Sequence, residues 1–351
     1  MLRSTMNDFR DRDIIQDDDG RVYTVLGHIQ PKTRVLAFLK YVPSQEGRWI
    51  HDGVSYKRVF WGGVESVISA QNLLPSDFLY HDPHFNTVLP EVPLSRIANC
   101  YRPDHRLSVI ARNGPADQLE EISLEVAEVL HDTLGIPLHK IGVAGSIAWN
   151  AHNVQFSDVN MTVYGLENSW RLYNSFESIV RSSPRIDIRT EAEWSRSRDR
   201  LLSRCPLLTP ADLWRLFRRR LALCLDGFCV GITPILFPEE APIAHGSESY
   251  ETVTEEPVRI IMRIEDDTYG IFLPAILRGV SRPVSSIGSS RVTRIMIYEG
   301  AFRGLVRSGD TIEVCGMLQR VHSYTSEVEE EFFQVMVGTI EGAGHEYVRL
   351  L

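Results

Sequence analysis

The sequence predicts a mixed α/β (α+β) core flanked by an N-terminal β-rich domain and a small C-terminal β-barrel-like domain. Three observations carry this reading. Residues 20 to 60 are β-branched and apolar runs broken by turn residues. Between about 111 and 240, helical-period stretches alternate with short apolar runs, as a sheet faced by helices requires. Beyond 257 the pattern returns to short strands separated by Gly- and Asp-containing turns, as in a small closed barrel or sandwich. The expected division is therefore 1–110, 111–240, a linker at 241–256, and 257–351.

The elements follow in order. Arg21 to Ile29 and Thr33 to Tyr41 form a hairpin about Gln30-Pro31-Lys32, and Asp52-Gly53 marks a second tight turn. From 72 to 115, Pro75, Pro83, Pro90, Pro93 and Pro103 interrupt any long periodic element, so an irregular connection with one short helix is expected. Gly114-Pro115 opens a helix with Leu119, Ile122, Val126, Leu130 and Leu134 on one face, stopped by Gly135 and Pro137. Lys140 to Ala144 reads as a strand, Gly145-Ser146 turns it into a short helix, and Asp158 to Tyr164 alternates as a half-buried strand. Trp170 to Val180 is helical and Arg185 to Arg189 an edge strand. Thr209-Pro210-Ala211-Asp212 caps a helix reaching Leu225, and Asp226-Gly227 separates it from the strand Phe228 to Phe237. The acidic, aperiodic stretch 238–256 reads as a linker or exposed crossover. Five strands follow, at Val258 to Ile264, Tyr269 to Leu273, Val292 to Tyr298, Thr311 to Val321 and Phe332 to Ile340. Gly309-Asp310-Thr311 leading into the fourth gives the barrel an OB-like cast.

With 351 residues, 43% of them hydrophobic and 24% charged, the chain is long enough for two or three globular domains. A net charge of −9 argues against broad adhesion to nucleic acid, which needs a surplus of Lys and Arg on the contacting face. The five cysteines are scattered and never spaced as Cys-x-x-Cys, so reduced thiols in a cytoplasmic protein are expected. Met1 to Asp8 lacks the apolar core of a secretion signal, and no apolar run reaches the ~18 residues of a membrane helix, so no membrane partner is expected.

The chemistry concentrates in one stretch. Gly145 lets backbone approach phosphate oxygens without a Cβ, and Ser146 offers an N–H and a hydroxyl at a helix start. Eleven residues separate Ser146 from Asp158, and on a strand Asp158 and Asn160 share one face while Val159 and Met161 take the other. A phosphate turn facing oxygen-bearing side chains suits nucleotidyl transfer, in which metal ions and an in-line hydroxyl meet at the α-phosphorus of an NTP.

Val143-Ala144-Gly145-Ser146 followed by Asp158-Val159-Asn160-Met161 resembles the signature of the polymerase-β-like nucleotidyltransferase superfamily. The runs Arg12-Asp13, Val25-Leu26-Gly27-His28, Val35-Leu36-Ala37 and Lys40-Tyr41-Val42-Pro43 are similar to a predicted archaeal nucleotidyltransferase family, a looser likeness extending from residue 8 to 340. The resemblance implies a nucleotidyltransferase-like core, with Gly145 and Ser146 on the triphosphate and Asp158 and Asn160 on Mg²⁺ or Mn²⁺. It also implies a third carboxylate, for which Asp187 and Asp226 are candidates. The sequence departs from the pattern where Asn160 replaces the second carboxylate, which keeps an oxygen ligand but removes a negative charge beside the metal.

Two functions follow. One is transfer of an NMP from an NTP to a hydroxyl of an RNA or protein acceptor; the other is a catalytically weakened relative that binds nucleotide or RNA. Arg218-Arg219-Arg220, with Arg218 and Arg219 foremost, is a candidate clamp for triphosphate or nucleic-acid phosphates, against the alternative of a solvated helix surface. Trp149 and His152 offer rings for stacking on a base, or plain packing, and His81-Asp82-Pro83-His84 reads as a loop.

Overall fold

The computed structural model describes residues 8–288, 290–324 and 330–351, apart from the side chains at 196 and 285. Seven of the opening residues scanned for a secretion signal thus lie outside the described set. The N-terminal strands are β1 (Ile14–Asp17), β2 (Val22–Val25), β3 (Arg34–Pro43), β4 (Trp49–His51), β5 (Val54–Arg58), β6 (Leu79–Asp82), β7 (Thr87–Pro93) and β8 (Ile97–Tyr101), with helix α1 (Val64–Ala70) after β5. They pair in the order β4-β5-β3-β2-β1-β8, with β7 added to β3 and β6 to β7. The expected hairpin is β2–β3, and Asp52 and Gly53, both at positive φ, make the turn between β4 and β5.

The middle of the chain holds α2 (Pro103–Asn113), α3 (Gln118–Leu134), β9 (Ile141–Val143), α4 (Gly145–Ala148), β10 (Val159–Tyr164), α5 (Leu166–Asn174), α6 (Phe176–Ser182), β11 (Ile186–Ile188), α7 (Glu191–Arg204), α8 (Pro210–Phe217), β12 (Ala222–Leu225) and β13 (Phe228–Ile235). The strands form one mixed sheet in the order β11-β12-β13-β10-β9. Asp117 caps α3 by accepting from Leu119 N at 2.9 Å and Glu120 N at 3.1 Å. Leu119, Ile122, Val126, Leu130 and Leu134 pack from α3 onto Val159, Met161 and Val163 of β10. Helices therefore cover one face of this sheet, and Asp158 and Asn160 look out from the other.

The C-terminal strands are β14 (Glu248–Thr252), β15 (Val258–Tyr269), β16 (Ala275–Ser281), β17 (Val292–Ile297), β18 (Thr311–Ser323), β19 (Glu330–Val337) and β20 (Tyr347–Leu350). Pairings β15–β16, β16–β17, β17–β19, β19–β18 and β18–β15 run round a ring, with β17–β19 parallel and the others antiparallel. Alternation along the strands sends Leu277, Ile295 and Val335 inward and Ile276, Met296 and Met336 outward, where they pack with Ile29, Leu36 and Phe85 of the N-terminal unit. The inward set merges with Trp194, Leu201, Leu213, Leu216 and Phe217, so α7 and α8 belong to the barrel's apolar core although they lie in the middle of the chain.

Several sequence expectations need correction. The helix after Thr209 ends at Phe217 rather than Leu225, because Ala222–Leu225 is buried at all four positions as a strand and Asp226-Gly227 (φ 48° and 84°) turns a hairpin. The proline-rich region contains three strands and the eleven-residue helix α2, with Pro90 and Pro93 tolerated because each stands at the end of a ladder, Pro90 opposite Leu79 of β6 and Pro93 opposite Arg34 of β3. Strand β14 occupies part of the expected linker, and 270–274 is a turn rather than a strand. Cys224 and Cys229 are bonded across the β12–β13 hairpin, against the expectation of reduced thiols, because the hairpin makes them direct partners. Among the described residues, no helix is long and apolar enough to cross a membrane.

A buried polar network docks the N-terminal sheet on the barrel. Asp82 Oδ1 accepts from His84 N (2.7 Å) and Phe85 N (3.0 Å), and Oδ2 lies 2.7 Å from His245 Nε2. His84 Nε2 lies 3.0 Å from the Tyr250 hydroxyl, which donates to Glu248 at 2.9 Å, and Glu248 takes both Arg294 Nη atoms at 2.9 and 2.7 Å. Glu91 is fully buried in this region; burial first, then the neighbouring Asp82 carboxylate, pushes its carboxyl up to about 9, against the pull of Arg34. The folded protein thus keeps a proton that the unfolded chain has released, and stability present below the ordinary glutamate range is lost as pH rises through about 9. Glu91→Gln is neutral at every pH. Thermal melts should show it more stable than wild type by several kcal/mol near pH 9, with the two close to equal near pH 5; a parallel pH dependence in both proteins would refute the assignment.

Candidate functional site

Strand β9 is buried throughout and pairs antiparallel with β10, Val143 opposite Met161. Ala144 N donates to Asn160 O at 2.7 Å, and the chain then turns at Gly145, whose φ of 68° favours glycine. The position of a Cβ on Gly145 would lie 3.5 Å from Asn160 Nδ2, so the turn and the Asn160 amide are in contact. Ser146 is buried at the start of α4, which makes a single turn. Gly145 and Asn160 are thus in contact beside the open face of the sheet, with Ser146 next to the one and Asp158 two residues before the other.

The other expected residues are elsewhere. Val159 pairs with Val230 and Asn160 with Gly231, so by continuing the parallel register Asp158 stands beside Cys229. The neighbouring strand therefore offers a glycine and a half-cystine where a further carboxylate would be needed. Asp187 is exposed on β11, three strand spacings or about 14 Å from β10. That is too far to share a metal with Asp158. Asp226 is bound to Arg185 at the hairpin tip. Arg218 is exposed, and Arg219 is paired with Asp310 and Leu305 O. Trp149 is packed in the core against Tyr41, Tyr56 and His51, and His152 pairs with the α3 cap Asp117 at 2.7 Å.

A cavity of about 530 Å³ opens over this face, between the three sheets. Asn160 is in its lining, with Arg12, Arg204 and Arg220; Gly145, Ser146 and Asp158 lie beyond its edge. Its aromatic walls include Phe38 against Phe60, ring centroids 4.0 Å apart, and Trp194 stacked on Phe217 at 5.0 Å. Trp61 stands at the mouth with more than half its surface exposed and the Arg58 guanidinium 4.6 Å from its ring centre.

Positive charge is concentrated here. Arg220 reaches Ala301 O while its Nε has no hydrogen-bond partner; burial, then Arg303, pushes its guanidinium down to about 10. Arg303 is lowered by burial and then by Arg12, and its Nη2 donates to Thr233 Oγ1 of β13 at 3.2 Å. Asp11 is the nearby counter-charge, 3.4 Å from Arg12 Nε and 3.8 Å from Arg303 Nη1, while also accepting from Gly27 N at 3.0 Å. Arg12 itself has a φ of 73°, an uncommon conformation for a side chain of this size. In β3 the register slips by one at Lys40, since Val22 faces Tyr41 while Tyr23 faces Leu39. Burial, with Arg58 and Arg12 adding to it and Asp158 opposing, pushes this ammonium down to about 7. Asp158 also acts on Arg189, which burial lowers.

Sequence reasoning therefore found the turn and the strand and missed most of the cations. Arg12 and Lys40 do occur in the short runs that carried the family likeness, and Leu26, Leu36 and Phe38 around them line the same cavity. Arg220 is the third member of the arginine triplet that the sequence offers for phosphate, and it alone of the three is in the cavity lining. Arg58, Arg189 and Arg204 carry no local signal, because the topology brings them in.

The chain is similar over nearly its whole length to an uncharacterized protein of the archaeon Methanocaldococcus jannaschii, at 23% identity over 97% of this chain and 98% of the relative. No family model matches the chain, and no solved structure matches it.

Proposed function

We propose that this chain is a nucleotide-binding protein on a nucleotidyltransferase-like core, in which the cavity receives a nucleoside triphosphate and little or no transfer follows. The observation that carries the proposal is one cavity whose lining combines clustered guanidinium groups, aromatic walls and Asn160, the residue against which the Gly145 turn packs just outside it. Its volume is in the range that holds small ligands. Arg12 and Arg220 suit phosphate oxygens, and the rings suit a base.

The donor set fits one metal-bound triphosphate at Asp158 with the Asn160 amide oxygen. It does not fit a pair of ions, because Cys229 and Gly231 occupy the adjacent register positions. When bound, such an ion neutralises phosphate charge; Lys40 and Arg189 supply the rest from the protein side. The ring order of the barrel supports an OB-like reading, yet the outer faces of β16 and β17 are packed against the N-terminal unit. That favours a small nucleotide over an RNA strand on the barrel.

Calorimetry with ATP, GTP, CTP and UTP, with and without Mg²⁺, tests the binding. Arg220→Ala and Arg12→Ala should each weaken affinity about tenfold. Asp158→Ala should abolish the Mg²⁺ enhancement but leave metal-free binding. Failure of wild type to bind any of the four would end the proposal. Labelled-NTP transfer by wild type, lost in Asp158→Ala, would instead establish an active enzyme, whereas transfer gained only in Asn160→Asp would mark the weakened form.

Lys40 gives a pH signature. It is charged below about 7, so affinity for the polyanion should fall as pH rises from about 6 to 8, and Lys40→Met should flatten that dependence. An unchanged slope in Lys40→Met would remove this residue from the site.

A further inference from the structure

The β12–β13 hairpin carries a second set of ligand atoms on the face of the sheet that bears Asp158. Cys224 and Cys229 are direct partners across it, Cα atoms 4.0 Å apart and sulfurs joined. Glu193, in the first turn of α7, presents Oε1 3.8 Å from Cys224 Sγ and 3.9 Å from Cys229 Sγ. Its other oxygen is fixed by the helix cap: Oε2 accepts from Thr190 N at 2.6 Å and Thr190 Oγ1 at 2.8 Å. The capping box therefore aims Oε1 at the sulfurs. A disulfide has no proton to donate, so the carboxylate gains nothing from two oxidised sulfurs, whereas a cation between them would be held by all three.

The three ligand atoms lie within 4.8 Å of one another. Tetrahedral zinc places two sulfurs about 3.8 Å apart, given Zn–S bonds of ~2.3 Å, a spacing that cross-strand cysteines reach by side-chain rotation. Two thiolates and a carboxylate select a soft cation over Mg²⁺. Arg189, whose Nη2 donates to Glu193 O at 2.9 Å, offsets the negative charge that remains.

We propose that the reduced hairpin binds one soft divalent cation, Zn²⁺ foremost, through the Cys224 and Cys229 thiolates and Glu193 Oε1, with the fourth position left to water. Reduction and loading are separate steps. Two equivalents of a small thiol cleave the S–S bond by exchange, giving two cysteine thiols and one small-molecule disulfide. Cation uptake then releases the two thiol protons to solvent with no further electron transfer. The disulfide and the metal site are mutually exclusive, and neither depends on what occupies the cavity.

The test uses the full chain, reduced with a phosphine, stripped with a chelator and titrated with Co²⁺ and then Zn²⁺. Reduced wild type should develop thiolate-to-cobalt charge-transfer absorption that saturates at one ion per chain and is displaced by Zn²⁺; the oxidised protein should develop none. Cys224→Ser with Cys229→Ser should abolish the band, and Cys100→Ser should leave it unchanged. Glu193→Gln should retain it with affinity about tenfold weaker or more. Should the cysteine variants fail to fold, mass-spectrometric alkylation of reduced wild type decides, since Zn²⁺ must protect Cys224 and Cys229 and a chelator must restore their alkylation. Absence of the band in reduced wild type, its survival in the double variant, or alkylation of the hairpin cysteines unaffected by Zn²⁺ would each overturn the proposal.

Discussion

The molecule is organised around a concentration of half-buried positive charge where its three sheets meet. Arg12 comes from the N-terminal segment, Arg220 from the turn between α8 and β12 and Arg303 from the loop after β17; Arg12 acts on Arg303 and Arg303 on Arg220. Asp11 answers two of them in part, and Thr233 of β13 gives Arg303 an uncharged acceptor. Neighbouring cations withdrawn from water repel one another and cost folding free energy. Such an arrangement persists only where the surrounding packing holds it, and the positive φ of Arg12 adds to the cost. Bound phosphate would relieve the repulsion.

The packing that holds it is extensive. The buried ion pair of Glu248 with Arg294 continues through Gln334 to Gln319, which borders the cavity, so the N-terminal sheet, barrel and site share one polar framework. Gly27 shows how close the approach is: a Cβ there would come within 2.9 Å of Leu273 O, and the next residue, His28, donates its N–H to that same oxygen at 2.9 Å. Movement of the barrel against the N-terminal sheet would be felt at Asp11, whose carboxylate is bound to Gly27 N.

What could be read from the chain was what neighbouring residues decide. Helix α3 announced itself by its stripe and by Gly135, and the β9–α4–β10 turn by Gly145 and the alternation after Asp158. Strand β12 did not, since four buried apolar residues have no period that separates strand from helix. Helix α7 was signalled by Thr190 and Glu193, a capping box that was there to be noticed. The site was legible to the same degree. Asp158 and Asn160 are on one strand face by arithmetic alone, whereas Cys229 and Gly231 stand beside them because β13 returns parallel after roughly seventy intervening residues, a pairing that local pattern does not encode.

The side chains of α7 and α8 have a bearing on how such a chain arises. Part of the filling of the barrel is encoded upstream of β12 and β13, inside the stretch that supplies the middle sheet. A recombination event that exchanged the last third of the gene for foreign sequence would strip Trp194, Leu216 and Phe217 of their neighbours and leave the incoming barrel without its plug. Packing thus ties the last third of the chain to the residues that precede it.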